Sequence, residues 1–280
     1  MRILVISDIH ANLTAFDAVL ADAAGAWDYV WCLGDVVGYG PDPNECLDRL
    51  RELPHRCLLG NHDWAAIQGN AIHHFNDDAR LSLLWTRQVL REENADYLRS
   101  LSSLLVISRF TLAHGSPREP VWEYIMDPTV AAGNFAHFAT PYCLVGHTHL
   151  PAIFEQEGDA ALVEEGAPAM AEGEESAVLA HSGGGDTAAN GGTGVGGDRL
   201  RVARLSGVET LILQHNRLIL NPGSVGQPRD ANPAAAYALL DTLSGSWQQR
   251  RALYDTHPVQ ERMRAYQLPE RLAQRLAYGW

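Results

Sequence analysis

Five short apolar runs in this chain each end at a residue able to bind a hard or borderline metal. Ile3–Ile6 leads into Asp8 and His10, and Tyr29–Leu33 leads into Gly34-Asp35. Cys57–Leu59 leads into Gly60-Asn61-His62-Asp63, Phe110–Ala113 into His114, and Tyr142–Val145 into Gly146-His147-Thr148-His149. Short apolar runs closed by Gly or Asp read as buried strands. Side by side in one sheet, they would present their carboxyl ends along one rim, where open α/β sheets put their ligands. Asp8, His10, Asp35, Asn61, His114, His147 and His149 would then converge as seven potential metal ligands, with His62 to spare.

The donor set mixes carboxylate, carboxamide and imidazole and contains no thiolate. Such a set suits divalent Mn, Fe, Zn, Co or Ni. Seven ligands exceed the needs of one tetrahedral centre. They fit two ions sharing a carboxylate, and Asp35, central in the series, is the candidate bridge. Two ions roughly 3.5–4 Å apart form a clamp for in-line displacement at phosphorus.

The ordered motifs Asp8-x-His10, Gly34-Asp35-x-x-Gly38, Gly60-Asn61-His62-Asp63, His114-Gly115 and Gly146-His147-Thr148-His149 resemble the calcineurin-like metallophosphoesterase superfamily over residues 1 to about 155. The segment Asn221–Asp230 resembles the C-terminal motif of its small bacterial branch, which includes proteins described as diadenosine tetraphosphatase-related. The resemblance implies an α/β/β/α sandwich of two mixed sheets with helices on both outer faces. It implies that Asp8, His10 and His149 hold one divalent ion, that Asn61, His114 and His147 hold another, and that Asp35 bridges them. The expected activity is hydrolysis of a small phosphoester, such as a nucleotide or dinucleoside polyphosphate, by a water activated at the dinuclear centre. His62 would face the phosphate and assist the leaving oxygen. The metals are expected to be Mn, Fe, Zn or Co, a choice these ligands leave open.

The chain departs from one branch of that superfamily. Phosphoprotein phosphatases carry Asp-Arg after the bridging Asp, where this chain has Gly38-Tyr39. A Ser/Thr protein phosphatase is therefore not expected, and His62 lacks the carboxylate that would orient it. Arg229 and Arg118 are the candidate phosphate contacts in place of the missing Arg. Ala11 stands where the small bacterial branch commonly has Gly. Tyr39, Trp64, Phe75, Trp122 and Tyr124 lie near the motifs and could stack on a base, although aromatics at such positions are more often core. His55, His73, His74, His137, His181, His215 and His257 read as surface or core residues.

The net charge of −13 over 280 residues is concentrated in one place. Residues 155–198 carry ten acidic residues and no Lys or Arg. The remainder, with 24 acidic and 21 basic residues, is nearly balanced and has no broad basic surface for a nucleic-acid backbone. A nuclease and a non-catalytic metal-binding scaffold are the alternatives to a phosphatase or phosphodiesterase. Four scattered cysteines read as buried free thiols and fit a reducing cytoplasm. No leader peptide is visible before the first strand, and no apolar run approaches the ~18–20 residues that span a bilayer. The oligomeric state is left open.

Helices are expected over Asn12–Ala24 with Asn12 as N-cap, over Asn44–Arg51, and over Asn76–Arg91 with Leu81, Leu84, Trp85, Gln88 and Val89 along the packed side. Further helices are expected at Asn94–Leu101 and Asp127–Phe138, and a strand at Leu104–Ser108 beside Phe110–Ala113. Residues 157–198, rich in Ala, Glu and Gly, read as a surface insertion in a single domain spanning 1–280. Strands at Leu200–Leu205, Thr210–Gln214, Arg217–Leu220, Ala235–Asp241 and Trp247–Leu253 suggest a second sheet, and Val259–Ala277 a helical tail.

Overall fold

The computed structural model describes residues 1–156, 200–205, 209–214 and 216–280. The expected insertion at 157–198 lies outside the described residues, as do His181 and His215. In chain order the first elements are β1 (Arg2–Ile6), α1 (Leu13–Asp22), β2 (Tyr29–Cys32), α2 (Pro43–Arg51) and β3 (His55–Cys57). The three strands are parallel, so each connection must cross over the sheet, and α1 and α2 are those crossovers. Then come α3 (Asn61–Ile67), a 3-10 turn at Gly69–His74, α4 (Asp77–Val89), α5 (Glu92–Arg99), β4 (Leu104–Ile107) and β5 (Phe110–Ala113). Next are α6 (Pro128–Asn134), β6 (Tyr142–Leu144), β7 (Ala152–Gln156), β8 (Leu200–Arg204), β9 (Glu209–Ile212) and β10 (Arg217–Asn221). The chain finishes with β11 (Ala235–Asp241), β12 (Ser246–Ala252), α7 (His257–Ala265) and α8 (Glu270–Arg275).

These strands form two mixed six-stranded sheets, ordered β3-β2-β1-β11-β12-β9 and β4-β5-β6-β10-β7-β8. Two expectations are corrected here. The five motif-bearing runs do not share a sheet, because β1, β2 and β3 belong to the first and β5 and β6 to the second. The late strands do not make a sheet of their own either. β9, β11 and β12 extend the first sheet, while β8 and β10 join the second with β7, a strand not expected from the sequence. Apolar runs identify strands but carry no information on their partners. Each sheet instead contains a parallel group, β3-β2-β1 or β5-β6-β10, and the loops leaving these two groups meet.

Side-chain alternation explains the layers. Ile3, Val5, Trp31 and Leu33 from the first sheet pack against Phe110, Leu112, Tyr142, Leu144, Leu218 and Leu220 from the second. Their neighbours Leu4, Ile6, Val30 and Cys32 face the other way, onto Phe16, Val19 and Leu20 of α1 and Leu47 and Leu50 of α2. On the far side Cys143 and Ile219 meet Ala131 of α6 and Phe135. The result is the expected α/β/β/α order, with both faces of each parallel group apolar.

α4 buries a different face from the expected one. Leu81 and Leu84 are 53% and 43% exposed, whereas Ala79, Ser82, Leu83 and Thr86 are buried. The two hydroxyls tolerate burial because they are satisfied. Ser82 Oγ donates to the Ala79 carbonyl and Thr86 Oγ1 to that of Ser82, at 2.8 and 2.9 Å. Ser82 Oγ also accepts from the Tyr39 N–H at 3.3 Å, so α4 is packed by its polar stripe against the loop after β2. The expected tail is two helices, broken where Gln267 takes a positive φ of 56° and Pro269 follows.

Candidate metal centre

The chain turns sharply after β1, β2 and β6. Asp8, His10, Ala11, Asp35, Tyr39, His147 and His149 all have positive φ, from 48° to 65°. Left-handed conformations are costly for residues with a Cβ and cluster at functional sites. Here they turn successive side chains inward instead of letting them alternate. Ala11 adopts this conformation at φ 51° despite its methyl group.

All seven anticipated ligands are buried and meet between the two sheets' loops. Nε2 atoms of His10 and His149 lie 3.1 Å apart, and Asp8 Oδ1 is 3.3 Å from the latter. His114 Nε2 lies 3.1 Å from Asn61 Oδ1, 3.2 Å from His147 Nδ1 and 3.3 Å from Asp35 Oδ2. Asp35 Oδ2 is also 3.7 Å from His10 Nε2, so this carboxylate stands between the two groups. Asp8 Oδ1 and Asp35 Oδ2 are buried and accept no hydrogen bond among the described residues.

The outer nitrogen of each imidazole has a carbonyl partner. His10 Nδ1 faces the Val37 carbonyl at 3.1 Å and His149 Nδ1 that of Gln227 at 2.6 Å. His114 Nδ1 faces the Leu33 carbonyl at 2.9 Å and His147 Nε2 that of Trp122 at 3.2 Å. A carbonyl only accepts, so each outer nitrogen must be the N–H and each inner nitrogen is free to offer a lone pair. Inner lone pairs converging with the free oxygens of Asp8 and Asp35 fit divalent cations, and the donor types suit those named above.

The electrostatics follow from burial. Desolvation pushes the His10, His147 and His149 imidazoles well below their usual range and the Asp8 carboxyl up to about 6. For His114 desolvation is outweighed by Asp35, which raises it to about 9. Desolvation of Asp35 is likewise outweighed, by His114, His62 and His10, so its carboxyl is held below the usual range.

His62 points into the same cavity without a carboxylate partner. Its Nδ1 is buried and unbonded against Gly38, where a Cβ would come within 2.4 Å of it and φ is 87°. The ring is caged by Tyr39, Phe75 and His10, with centroids at 4.3, 4.7 and 4.8 Å. Burial lowers its pKa to about 4. Arg229 reaches the site, donating to Tyr39 Oη at 3.3 Å. Arg118 does not join it, because its guanidinium is exposed and paired with Glu123.

Several residues take roles not anticipated from the sequence. Asp63 accepts from the N–H groups of Asp35, Val37 and Gly60 at 2.8, 3.1 and 3.1 Å, tying two motifs together. Burial and then Asp35 push its carboxyl up to about 7 against these three donors. Its place as the fourth residue of Gly60–Asp63, with no ligand role, is the signal that could have marked it. Tyr124 stacks on His147 at 3.7 Å, and Trp122 supplies only a backbone oxygen, which no sequence signal marks. The Asn221–Asp230 segment buttresses the first and last motifs. Asn221 Nδ2 donates to the Gly146 carbonyl at 2.7 Å, and Ser224 Oγ and Gly226 N donate to that of Asp8 at 2.8 and 2.9 Å.

Comparison with known proteins adds a relationship to this geometry. A family model described as the calcineurin-like phosphoesterase superfamily domain matches residues 1–183. A metallophosphoesterase structure from Sphaerobacter thermophilus is similar at 38% identity and a TM-score of 0.77, covering 100% of this chain and 99% of that one. A hypothetical protein of Pyrococcus horikoshii shares the fold, with a TM-score of 0.70, 17% identity and coverage of 100% and 98%. An uncharacterised protein of Methanocaldococcus jannaschii is 30% identical over 284 residues, 99% of this chain and 98% of its own length. Among the described residues no helix is long and apolar enough to cross a membrane.

Proposed function

The chain belongs to the calcineurin-like phosphoesterase superfamily, and from that premise we propose that it hydrolyses small phosphoesters with the help of two divalent cations. The observation that carries this is the set of four imidazoles, each with one nitrogen tied to a carbonyl and the other turned toward two carboxylates that each keep one oxygen without a hydrogen bond. Asp8, His10 and His149 would hold one cation, Asn61, His114 and His147 the other, and Asp35 would serve both. Cations held there supply Lewis acidity at the phosphoryl oxygens and acidify the attacking water.

The chain's own residues do the rest. Asn61 contributes an oxygen without a third negative charge, so the site keeps a positive balance for an anionic substrate. His62, whose Nδ1 is closed off by Gly38, presents Nε2 and donates a hydrogen bond to the departing oxygen. Tyr39 and Phe75 fix its ring and exclude water from that side. Arg229 adds a cation beside Tyr39 for the phosphoryl group. The same reading takes 1–280 as one domain, since β11 pairs directly with β1, and a reducing compartment as its home, since all four cysteines are free and buried.

The test is elemental analysis of the purified protein followed by turnover of phosphomonoesters, phosphodiesters and dinucleotides. His62→Ala is expected to keep its metals and lose about 10²–10⁴-fold in rate. Two bound metals with no turnover on any ester class would leave the chain as a non-catalytic scaffold.

A further inference from the structure

On the His10 side of the centre the described residues hold two positive charges that the chemistry above does not use together. Arg229 Nη2 donates to Gln227 Oε1 at 3.3 Å, and Arg275 Nη1 donates to the same oxygen at 3.4 Å. One neutral amide oxygen thus serves two guanidinium groups. Neither arginine is paired with a carboxylate side chain among the described residues, and Arg229 Nε is buried with no hydrogen-bond partner. Arg275 Nε is taken by the backbone oxygen of Trp280. Burial and the facing Arg229 push the Arg275 guanidinium below its usual value, so holding the two charges together has a cost.

The pair is coupled to the metal rim through Gln227. Its backbone carbonyl accepts from His149 Nδ1 at 2.6 Å while its side chain meets both arginines. Arg229 lies close enough to Asp8, His10, His62 and His149 to act on all four electrostatically. The end of α8 is equally near. Leu276, next to Arg275, lines a small cavity together with His10, Tyr39 and Gln227. A structural arginine normally meets a carboxylate or several carbonyls, because an unpaired, partly buried cation is costly. Arg229 has the Tyr39 hydroxyl and one amide oxygen, and Arg275, held by Trp280, turns Nη1 to that same oxygen, an arrangement beside a phosphoryl site that a second anion would complete.

We propose that Arg229 and Arg275 form a second anion subsite beside the metal centre, built for the phosphoryl group adjoining the one attacked. This rests on the phosphoesterase reading and narrows its substrates to compounds with linked phosphoryl groups, above all phosphoanhydrides. Hydrolysis of such a link puts the water oxygen on the attacked phosphorus and breaks its bond to the bridging oxygen. The electron pair stays on the departing phosphate, the water protons pass to the products or solvent, and the two guanidinium groups offset the new charge.

Binding separates this from turnover. The full chain loaded with Mn²⁺ is titrated calorimetrically with methylphosphonate and methylenediphosphonate, which differ by one phosphonate and are not hydrolysed. The wild-type chain is expected to prefer the diphosphonate by about tenfold or more, as one extra charge-assisted contact predicts. Arg275→Gln should bring that preference to within about twofold, Arg275→Lys should give an intermediate value, and Arg271→Gln, altering the exposed arginine over Trp280, should retain it. An unchanged preference in both Arg275 variants, or an equal loss in Arg271→Gln, overturns the subsite. Any metal withdrawn by the diphosphonate is common to all variants and cancels in the comparison. Absence of turnover would remove the hydrolase reading yet leave this preference measurable.

Discussion

The two halves of the candidate centre are built to different standards of support. The inner half takes Asp8 and His10 from the loop after β1 and His149 from the loop after β6, and Ser224, Val225 and Gly226 brace it from behind through three hydrogen bonds to the carbonyls of Ser7 and Asp8. The outer half, Asn61, His114 and His147, depends for its last ring on one loop between β5 and α6, which touches His147 through the Trp122 carbonyl and the Tyr124 ring. That loop is knotted by Glu123, which accepts from Ser116 at 2.7 Å, from Asn134 at 2.9 Å and from Arg118. The backbone of both halves is braced, but the His147 ring of the outer half is held by that one loop, which can be cut. Arg118, expected as a phosphate contact, belongs to that buttress instead.

The largest expected effect breaks both halves together. Asp35 Oδ2 lies 3.3 Å from His114 and 3.7 Å from His10, and Oδ1 accepts the His62 N–H at 2.8 Å. Asp35→Asn should lose both metals by elemental analysis, with activity down by about 10³-fold or more. Retention of either metal at full occupancy would show that the halves do not share this carboxylate. Next comes Gly38→Ala, which strikes between the halves. The added methyl would enter at 2.4 Å from His62 Nδ1 at a positive φ, so ring and loop must shift. A fall of about 10²-fold in turnover with metal content intact is expected, and unchanged turnover would mean that the ring cage does not position His62.

How much is legible in the sequence follows the same division. The seven candidate ligands can be read because Asp, Asn and His at the ends of apolar strands are chemically distinctive. Their carbonyl partners cannot, since Val37, Leu33, Trp122 and Gln227 contribute backbone atoms that every residue has. The buried face of α4 is hidden for a related reason. Ser82 and Thr86 satisfy their hydroxyls within the helix and so pack inward, while Leu81 and Leu84 stay exposed, a reversal that apolar periodicity cannot signal. Strand runs are legible but their distribution between sheets is not, because pairing depends on contacts remote in sequence. β11 lies beside β1 across more than 230 residues of chain, Arg2 opposite Asp241.

Cutting the knot tests the outer half alone. Glu123→Ala should weaken the second metal by about tenfold, within the range for loss of a group that orients a ligand, and leave the first unchanged. Two-site calorimetry would detect this, and equal weakening of both would erase the distinction between the halves. The knot also predicts a pH signature. Burial raises the Glu123 carboxyl, but bonds from Arg118, Ser116 and Asn134 outweigh it and hold it at about 2. With a folded value below the unfolded one of about 4.3, its stabilisation is present above that pH and lost as pH falls toward 2. Glu123→Gln should flatten the melting midpoint's dependence on pH in that window, as read by circular dichroism.

The smallest effect is expected from removing one brace behind the inner half. Asn12 Oδ1 caps α1 by accepting from Ala15 N at 3.1 Å, and its Nδ2 donates to the Gly226 carbonyl at 3.0 Å. Asn12→Ala loses the cap and leaves that carbonyl unpaired, at a cost of about 1–2 kcal/mol of folding stability. Metal affinity should nevertheless stay within about twofold, because Ser224 and Val225 still hold Ser7 and Asp8 and the His149 carbonyl partner is untouched, so the lost bond is one of several acting in parallel. A denaturation curve and a metal titration on the same sample separate the two quantities. If the first metal weakened as much here as the second does in Glu123→Ala, the inner half would be no more redundant than the outer, and the difference in support would be one of appearance only.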